Sequence, residues 1–142
     1  MTTSRVSVCL GDAHPPFVDK PLSVTDFVRY QGASGDFNPI HHDSAFAAKA
    51  GFETPFAVGM FAAGVLANFA ADWLGPTNIR RYRVRFAEQA WPGDVLTYSG
   101  TVTAVTPRGA FDEVELELAA TRQTGSVHIR AWATFHLPTA TA

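Results

Sequence analysis

The chain is short of cysteine, short of charge and without a long apolar run, and each shortage closes off a class of protein. One cysteine, Cys9, stands in 142 residues, which leaves no internal disulfide and no cysteine-rich zinc module. That usage suits a reducing compartment, and the chain is expected to be cytoplasmic. Charged residues make up 17%, below the usual quarter, with eleven Lys and Arg against thirteen acids and a formal charge of −2. Charge-driven disorder is excluded, and no nucleic-acid partner is expected. The longest apolar stretch, residues 56–67, contains Gly59 and Gly64 and is followed by Asn68 and Asp72. It falls well short of the roughly 20 apolar residues that span a bilayer, so no membrane partner is expected either. Residues 1–16 carry one Arg and no apolar run, which does not make a secretory signal. Glycine-rich nucleotide loops and a G-x-S-x-G elbow are absent.

What is present is an ordinary hydrophobic fraction, 46%, in a length that suits one domain over residues 1–142. Only the tail, residues 137–142, reads as frayed. Residues 24–31 read as a short helix capped by Thr25, with Asp26 in its positive first turn. A run of turn residues follows, Gly32-Ala33-Ser34-Gly35-Asp36-Phe37-Asn38-Pro39. A second short helix over residues 44–50 has Asp43 as its cap and Gly51 as its stop. Residues 59–74 form the longest helix, apolar on nearly every side and therefore surrounded by protein. Ala62, Ala63, Gly64 and Ala67 keep it thin, so a sheet can approach it closely. Gly75-Pro76 ends it.

Period-two alternation then takes over. Tyr82, Val84 and Phe86 alternate with Arg81, Arg83 and Arg85; residues 95–105 are rich in Val and Thr. Val114, Leu116 and Leu118 alternate with Glu113, Glu115 and Glu117. Val127, Ile129, Ala131, Ala133 and Phe135 alternate with His128, Arg130, Trp132, Thr134 and His136. Pro92-Gly93-Asp94, Pro107-Arg108-Gly109 and Thr124-Gly125 supply the turns. The order predicts an α+β fold, a four-strand antiparallel meander packed on one long apolar helix.

Asp36 and His41 are the most informative polar pair. They flank Asn38-Pro39, and a turn of five residues can bring carboxylate and imidazole to within one water of each other. Such a pair can polarise that water and move its protons; an Asx turn at Asp36 beside a half-exposed His41 is the bland alternative. Adjacent His41, His42 and Asp43 cannot easily converge on one ion, so no metal is expected and Asp43 is read as a cap. Gly59 begins the apolar helix, where free N–H groups and a partial positive charge favour an anionic group and a missing Cβ admits it. Relief of crowding explains that glycine equally well. The arginine strip is either a solvated strand face or a landing site for phosphate. Cys9 has no charged partner nearby, and His14, His128 and His136 receive no role.

The run Tyr30-Gln31-Gly32-Ala33-Ser34-Gly35-Asp36-Phe37-Asn38-Pro39-Ile40-His41-His42-Asp43, with Ala47 after it, resembles the hydratase-2 motif of the MaoC-like dehydratases and (R)-specific enoyl-CoA hydratases. The similarity continues through Phe52-Glu53-Thr54-Pro55, Gly59-Met60 and Val84-Arg85-Phe86 to Pro92-Gly93-Asp94. It implies a single hot-dog fold, a sheet wrapped around one helix, and Asp36 and His41 as a catalytic dyad. It implies the Gly59 N–H as donor to a thioester oxygen, and Asn38 and Arg85 complete the expected substrate-binding set. The family often has His before the Gly-Met pair, where this chain has Val58, a change that bears on the pocket wall or the substrate range. The implied reaction adds water to a trans-2-enoyl thioester, giving an (R)-3-hydroxyacyl thioester, or runs in reverse. Asp36 is favoured as base and His41 as the group that orients water and returns a proton. No cofactor is implied. The substrate arrives on coenzyme A or an acyl carrier protein. A homodimer is expected, with a heterodimer of two hot-dog subunits as the alternative. A non-catalytic accessory subunit and a hot-dog thioesterase are the competing functions.

Overall fold

A computed structural model describes residues 6–139. Strand β1 (Phe17–Val18) comes first, followed by helix α1 (Val24–Ser34), a 3₁₀ turn (Pro39–His41), α2 (Ser44–Lys49) and α3 (Gly59–Leu74). Four strands follow: β2 (Ile79–Phe86), β3 (Leu96–Pro107), β4 (Phe111–Arg122) and β5 (Val127–Pro138).

The sheet order is β1-β3-β4-β5-β2, and every pairing is antiparallel. Strands β3, β4 and β5 are the meander that the alternation predicts. β2 departs from it: the chain leaves β2, crosses the sheet and starts β3, so that β2 pairs with the last strand. The two-residue β1 on the opposite edge is too short to leave a periodic signal. β2 therefore has one neighbour and one open edge.

Helix α1 begins where expected, but its cap is Ser23 rather than Thr25. The Asp26 N–H donates to Ser23 Oγ at 3.2 Å, and the Ser23 N–H donates back to Asp26 Oδ2 at 3.0 Å. This reciprocal pair satisfies two helix-end donors. The helix also runs three residues further than predicted, to Ser34, and stops at Gly35 in the left-handed region, φ 78°. Asp43 caps α2 as expected, accepting from the Ala45 and Phe46 N–H groups at 2.9 and 3.1 Å.

Helix α3 buries Ala62, Ala63, Leu66, Phe69, Ala70 and Leu74 against the inner face of the sheet. The contact is close: a Cβ on Gly100 of β3 would stand 2.5 Å from a Leu118 methyl and 3.3 Å from the Phe69 ring. Tyr82 of β2 donates its hydroxyl to the Ala63 carbonyl at 2.6 Å, and burial pushes that hydroxyl up to about 12. One row of α3 is not covered. Met60, Gly64, Asn68 and Asp72 recur every four residues and are exposed, so Gly64 faces outward rather than toward the sheet.

The C-terminal end is better held than predicted. Leu137 is buried, Pro138 pairs with Phe111, and the Thr139 N–H donates to the Ala110 carbonyl at 3.0 Å. Residues 140–142 of the expected frayed tail lie outside the described residues.

Candidate active site

The turn after α1 is held from beneath by Gln31, a buried residue of that helix. Its Nε2 donates to the Asn38 carbonyl at 3.0 Å, and its Oε1 accepts from His42 Nδ1–H at 2.8 Å. Asn38 spends its own side chain on the turn, accepting from the Ile40 N–H at 3.1 Å. The Asx turn at Asp36 forms as well, with Oδ1 accepting from the Asn38 N–H at 3.2 Å. The result is a rigid 3₁₀ turn that delivers His41 inward and leaves Asp36 exposed.

His41 is buried, and its Nδ1–H donates to the Phe56 carbonyl at 2.8 Å. A carbonyl only accepts, so Nδ1 carries a proton and Nε2 is the ring nitrogen left without that bond. The ring meets Phe56 edge-on, centroids 5.2 Å apart. His41 and Gly59 line one cavity of about 200 Å³, together with Phe56, Phe86, Glu88 and His128. Gly59 opens α3 after Val58, which offers no side-chain cap, so the helix's first N–H groups are left for a ligand. A Cβ on Gly59 would stand 2.7 Å from the Phe86 ring, so only glycine fits there without moving that ring.

Three of the expected site residues fall elsewhere. Asp36 and Asn38 are not on the cavity wall. Arg85 is exposed on the outer face of β2, opposite Arg130, while its neighbour Phe86 reaches the cavity. The family motif carries Asp36 and His41 together; the geometry of this chain alone joins His41 with Gly59.

His128 is the residue that sequence reasoning missed. Strict alternation puts it on the polar face of β5. The ladder, however, steps from Ala120↔Ile129 to Thr121↔Val127, so His128 is the extra residue of a β-bulge. A bulge re-aims a side chain, and here it turns the imidazole inward to 2% exposure. His128 Nδ1–H donates to the Glu88 carbonyl at 2.5 Å. Burial lowers its pKa, with the positive charge of Arg122 adding to the effect, while the Glu88 hydrogen bond and Asp94 oppose it.

Asp94 of the Pro92-Gly93-Asp94 turn supports this wall from behind. It accepts from Arg122 Nε at 2.7 Å, Gln123 Nε2 at 2.8 Å and the Trp91 N–H at 2.8 Å. Burial works against its ionisation, but these donors outweigh burial and hold the carboxyl below its usual value. The motif aspartate is thus a fastener between the loop before β3 and the end of β4.

Residues 11–124 match the family described as the MaoC like domain. The chain belongs to that family. Within the MaoC-like match lie Asp36, His41, Gly59, Phe86 and Asp94; His128 lies beyond it. The peroxisomal multifunctional enzyme type 2 of Mus musculus is 38% identical over 95 residues, which are 65% of this chain and 13% of that enzyme. The enoyl-CoA hydratase ChsH3 of Mycobacterium tuberculosis is 41% identical over 66 residues, 44% of this chain and 23% of the relative. The chain thus spans less than a quarter of the length of either relative. The (R)-hydratase from A. caviae involved in PHA biosynthesis superposes with a TM-score of 0.81 at 25% identity, covering 93% of this chain and 98% of the other. The hot-dog architecture expected from the motif is therefore the fold of this MaoC-like chain.

Proposed function

We propose that this chain is a hydro-lyase that adds water across the C2=C3 bond of a trans-2-enoyl thioester, or removes it from an (R)-3-hydroxyacyl thioester. The observation that carries the reading is the shared cavity of His41 and Gly59, with His41 held through Nδ1 by the Phe56 carbonyl. The thioester oxygen is set against the Gly59 N–H at the positive end of α3. A well-placed donor of this kind contributes roughly 3 kcal/mol as enolate charge develops. Water lies between His41 Nε2 and the Asp36 carboxylate. Its oxygen bonds to C3, one of its protons passes to the dyad, and the dyad returns a proton to C2. With His41 Nδ1–H held by the Phe56 carbonyl, Nε2 is the ring atom left for the water, which supports His41 as the first proton acceptor and Asp36 as the group that orients the water. This reverses the roles favoured from the sequence.

The site is finished by a second subunit. Phe37 beside Asp36, Met60 beside Gly59 and Phe86 over Gly59 are exposed, the last two at 51% and 53%. Large apolar groups left open around a site mark an interface, and a second copy of this chain is the proposed cover. Asp36 lies off the cavity wall of the single chain, and that observation keeps one other reading, an accessory subunit that completes a partner's site. Exposed, unpaired Cys9 fits the reducing cytoplasm proposed for the enzyme.

The test is loss of the enoyl-thioester absorbance with crotonyl-CoA and a long-chain enoyl-CoA. Asp36→Asn and His41→Ala are each expected to lower kcat by about 10²–10⁴-fold with unchanged circular dichroism. A folded variant with near wild-type turnover removes the dyad, and a wild-type protein active only with a related subunit establishes the accessory reading.

A further inference from the structure

Two imidazoles line the cavity, and the mechanism uses one. The other, His128, is held by the loop that forms the cavity's wall. Its ring N–H donates to the Glu88 carbonyl, and its own carbonyl accepts from the Ala87 and Glu88 N–H groups at 3.0 and 3.4 Å. With the proton committed to Nδ1, Nε2 carries a lone pair, and among the described residues that buried atom has no partner. Burial keeps the ring neutral, so it is an acceptor and not an acid. A buried acceptor left unpaired is costly and calls for an explanation. The bulge that aims this side chain inward sits beside the cavity.

The Phe86 ring stands against Gly59, and Phe86 leads directly into Ala87 and Glu88. Phe86 is therefore joined directly to the segment that bonds His128, and a displacement of its ring by a bound thioester would reach that segment. We propose that His128 is a substrate-binding residue of this site, whose Nε2 accepts a hydrogen bond from an N–H or O–H of the bound thioester. The inference rests on the thioester reading above. Two donors have this chemistry: an amide N–H in the thioester arm and the C3 hydroxyl of the hydrated acyl group.

Three probes separate them. S-butyryl-N-acetylcysteamine carries the amide alone, and its analogue with an ester oxygen for the N–H carries no donor. The 3-hydroxybutyryl form of that ester carries the hydroxyl alone. Each is titrated into the ¹⁵N-labelled full chain in its native assembly, following the His128 Nε2 signal and the Gly59 amide. The expected result is that the Gly59 signal moves with all three, and the His128 Nε2 signal moves with one or both donor-bearing probes only. The responding probe names the donor. A shift at Gly59 with none at His128, or an equal His128 shift with the donor-free ester, overturns the inference and leaves the hydratase reading standing. No shift at either overturns both. In kinetics, His128→Asn keeps an N–H at the Nδ1 position but has no acceptor at Nε2. It is expected to raise KM for the donor-bearing substrate about tenfold, with kcat within about threefold. His128→Gln, which restores an acceptor there, recovers KM. Equal KM values for wild type and a folded His128→Asn on both S-crotonyl-N-acetylcysteamine and the 3-hydroxybutyryl ester also overturn the proposal.

Discussion

His41 and His128 each give a ring proton to a main-chain carbonyl, whereas Asp94 is buried among donors and charged. The difference follows from what faces each group. Burial favours the neutral His128 ring against the pull of its carbonyl bond, and a guanidinium favours the Asp94 carboxylate. His128 makes a prediction about stability. Its pKa is lowered in the folded chain relative to about 6.5 unfolded. Below that value the unfolded state binds the proton first, so stability is full above about pH 6.5 and falls as the pH drops toward the lowered folded value. Thermal melts from pH 7.5 to 5 should show this loss, and His128→Asn should flatten it; equal slopes refute the assignment. Asp36 and His41 could be picked out as candidates because they share one dense local run, and Gly59 because it opens the apolar helix. His128 and Gln31 were not, because their partners stand 40 and 11 residues away and no local pattern announces such a pairing.

Elements were legible wherever periodicity decided them. The bounds of α3 follow from its composition and from Gly75, and the four long strands from their alternation. Caps and strand order were less so: Ser23 and Thr25 are chemically equal candidates, and only the return bond from Asp26 distinguishes them. Nothing in β2 states that its partner is β5. Two element-level predictions follow from the packing. Ala63 is fully buried under Tyr82, so Ala63→Leu should destabilise by about 1–3 kcal/mol in a urea titration through overpacking. An unchanged midpoint means that the helix has room there. On the outer face of β2, Arg81, Arg83 and Arg85 are exposed, and among the described residues none forms a salt bridge. If this face receives the phosphates or acidic carrier of the thioester, Arg85→Ala raises KM more than it changes kcat, and wild-type KM climbs with salt. A variant identical to wild type across a salt series returns the strip to a solvated face.

At the scale of the molecule, the exposed row of α3, the Phe86 ring and the open edge of β2 all lie unpartnered in one chain. Sedimentation at several protein concentrations should show a dimer, and Phe86→Glu should shift it toward monomer by placing charge in the apolar contact. A wild-type monomer that turns over enoyl thioesters refutes the two-subunit site. Two copies meeting along β2 edges would bring like charges together, so salt should strengthen that association while it weakens binding of an anionic carrier.

The crossover that sends β2 to the far side of β5 also orders events during synthesis. Helix α3 and β2 leave the ribosome well before Val127–Pro138 exist, yet β2 has no other strand to pair with. Until the last strand arrives, the nascent chain carries an apolar helix beside a half-built sheet, and its decisive contacts span some of the longest separations in the sequence. Such topologies close late and slowly. A ribosome stalled before Val127 would thus hold a chain with every site residue of the family motif already made while β2 still lacks its only strand partner.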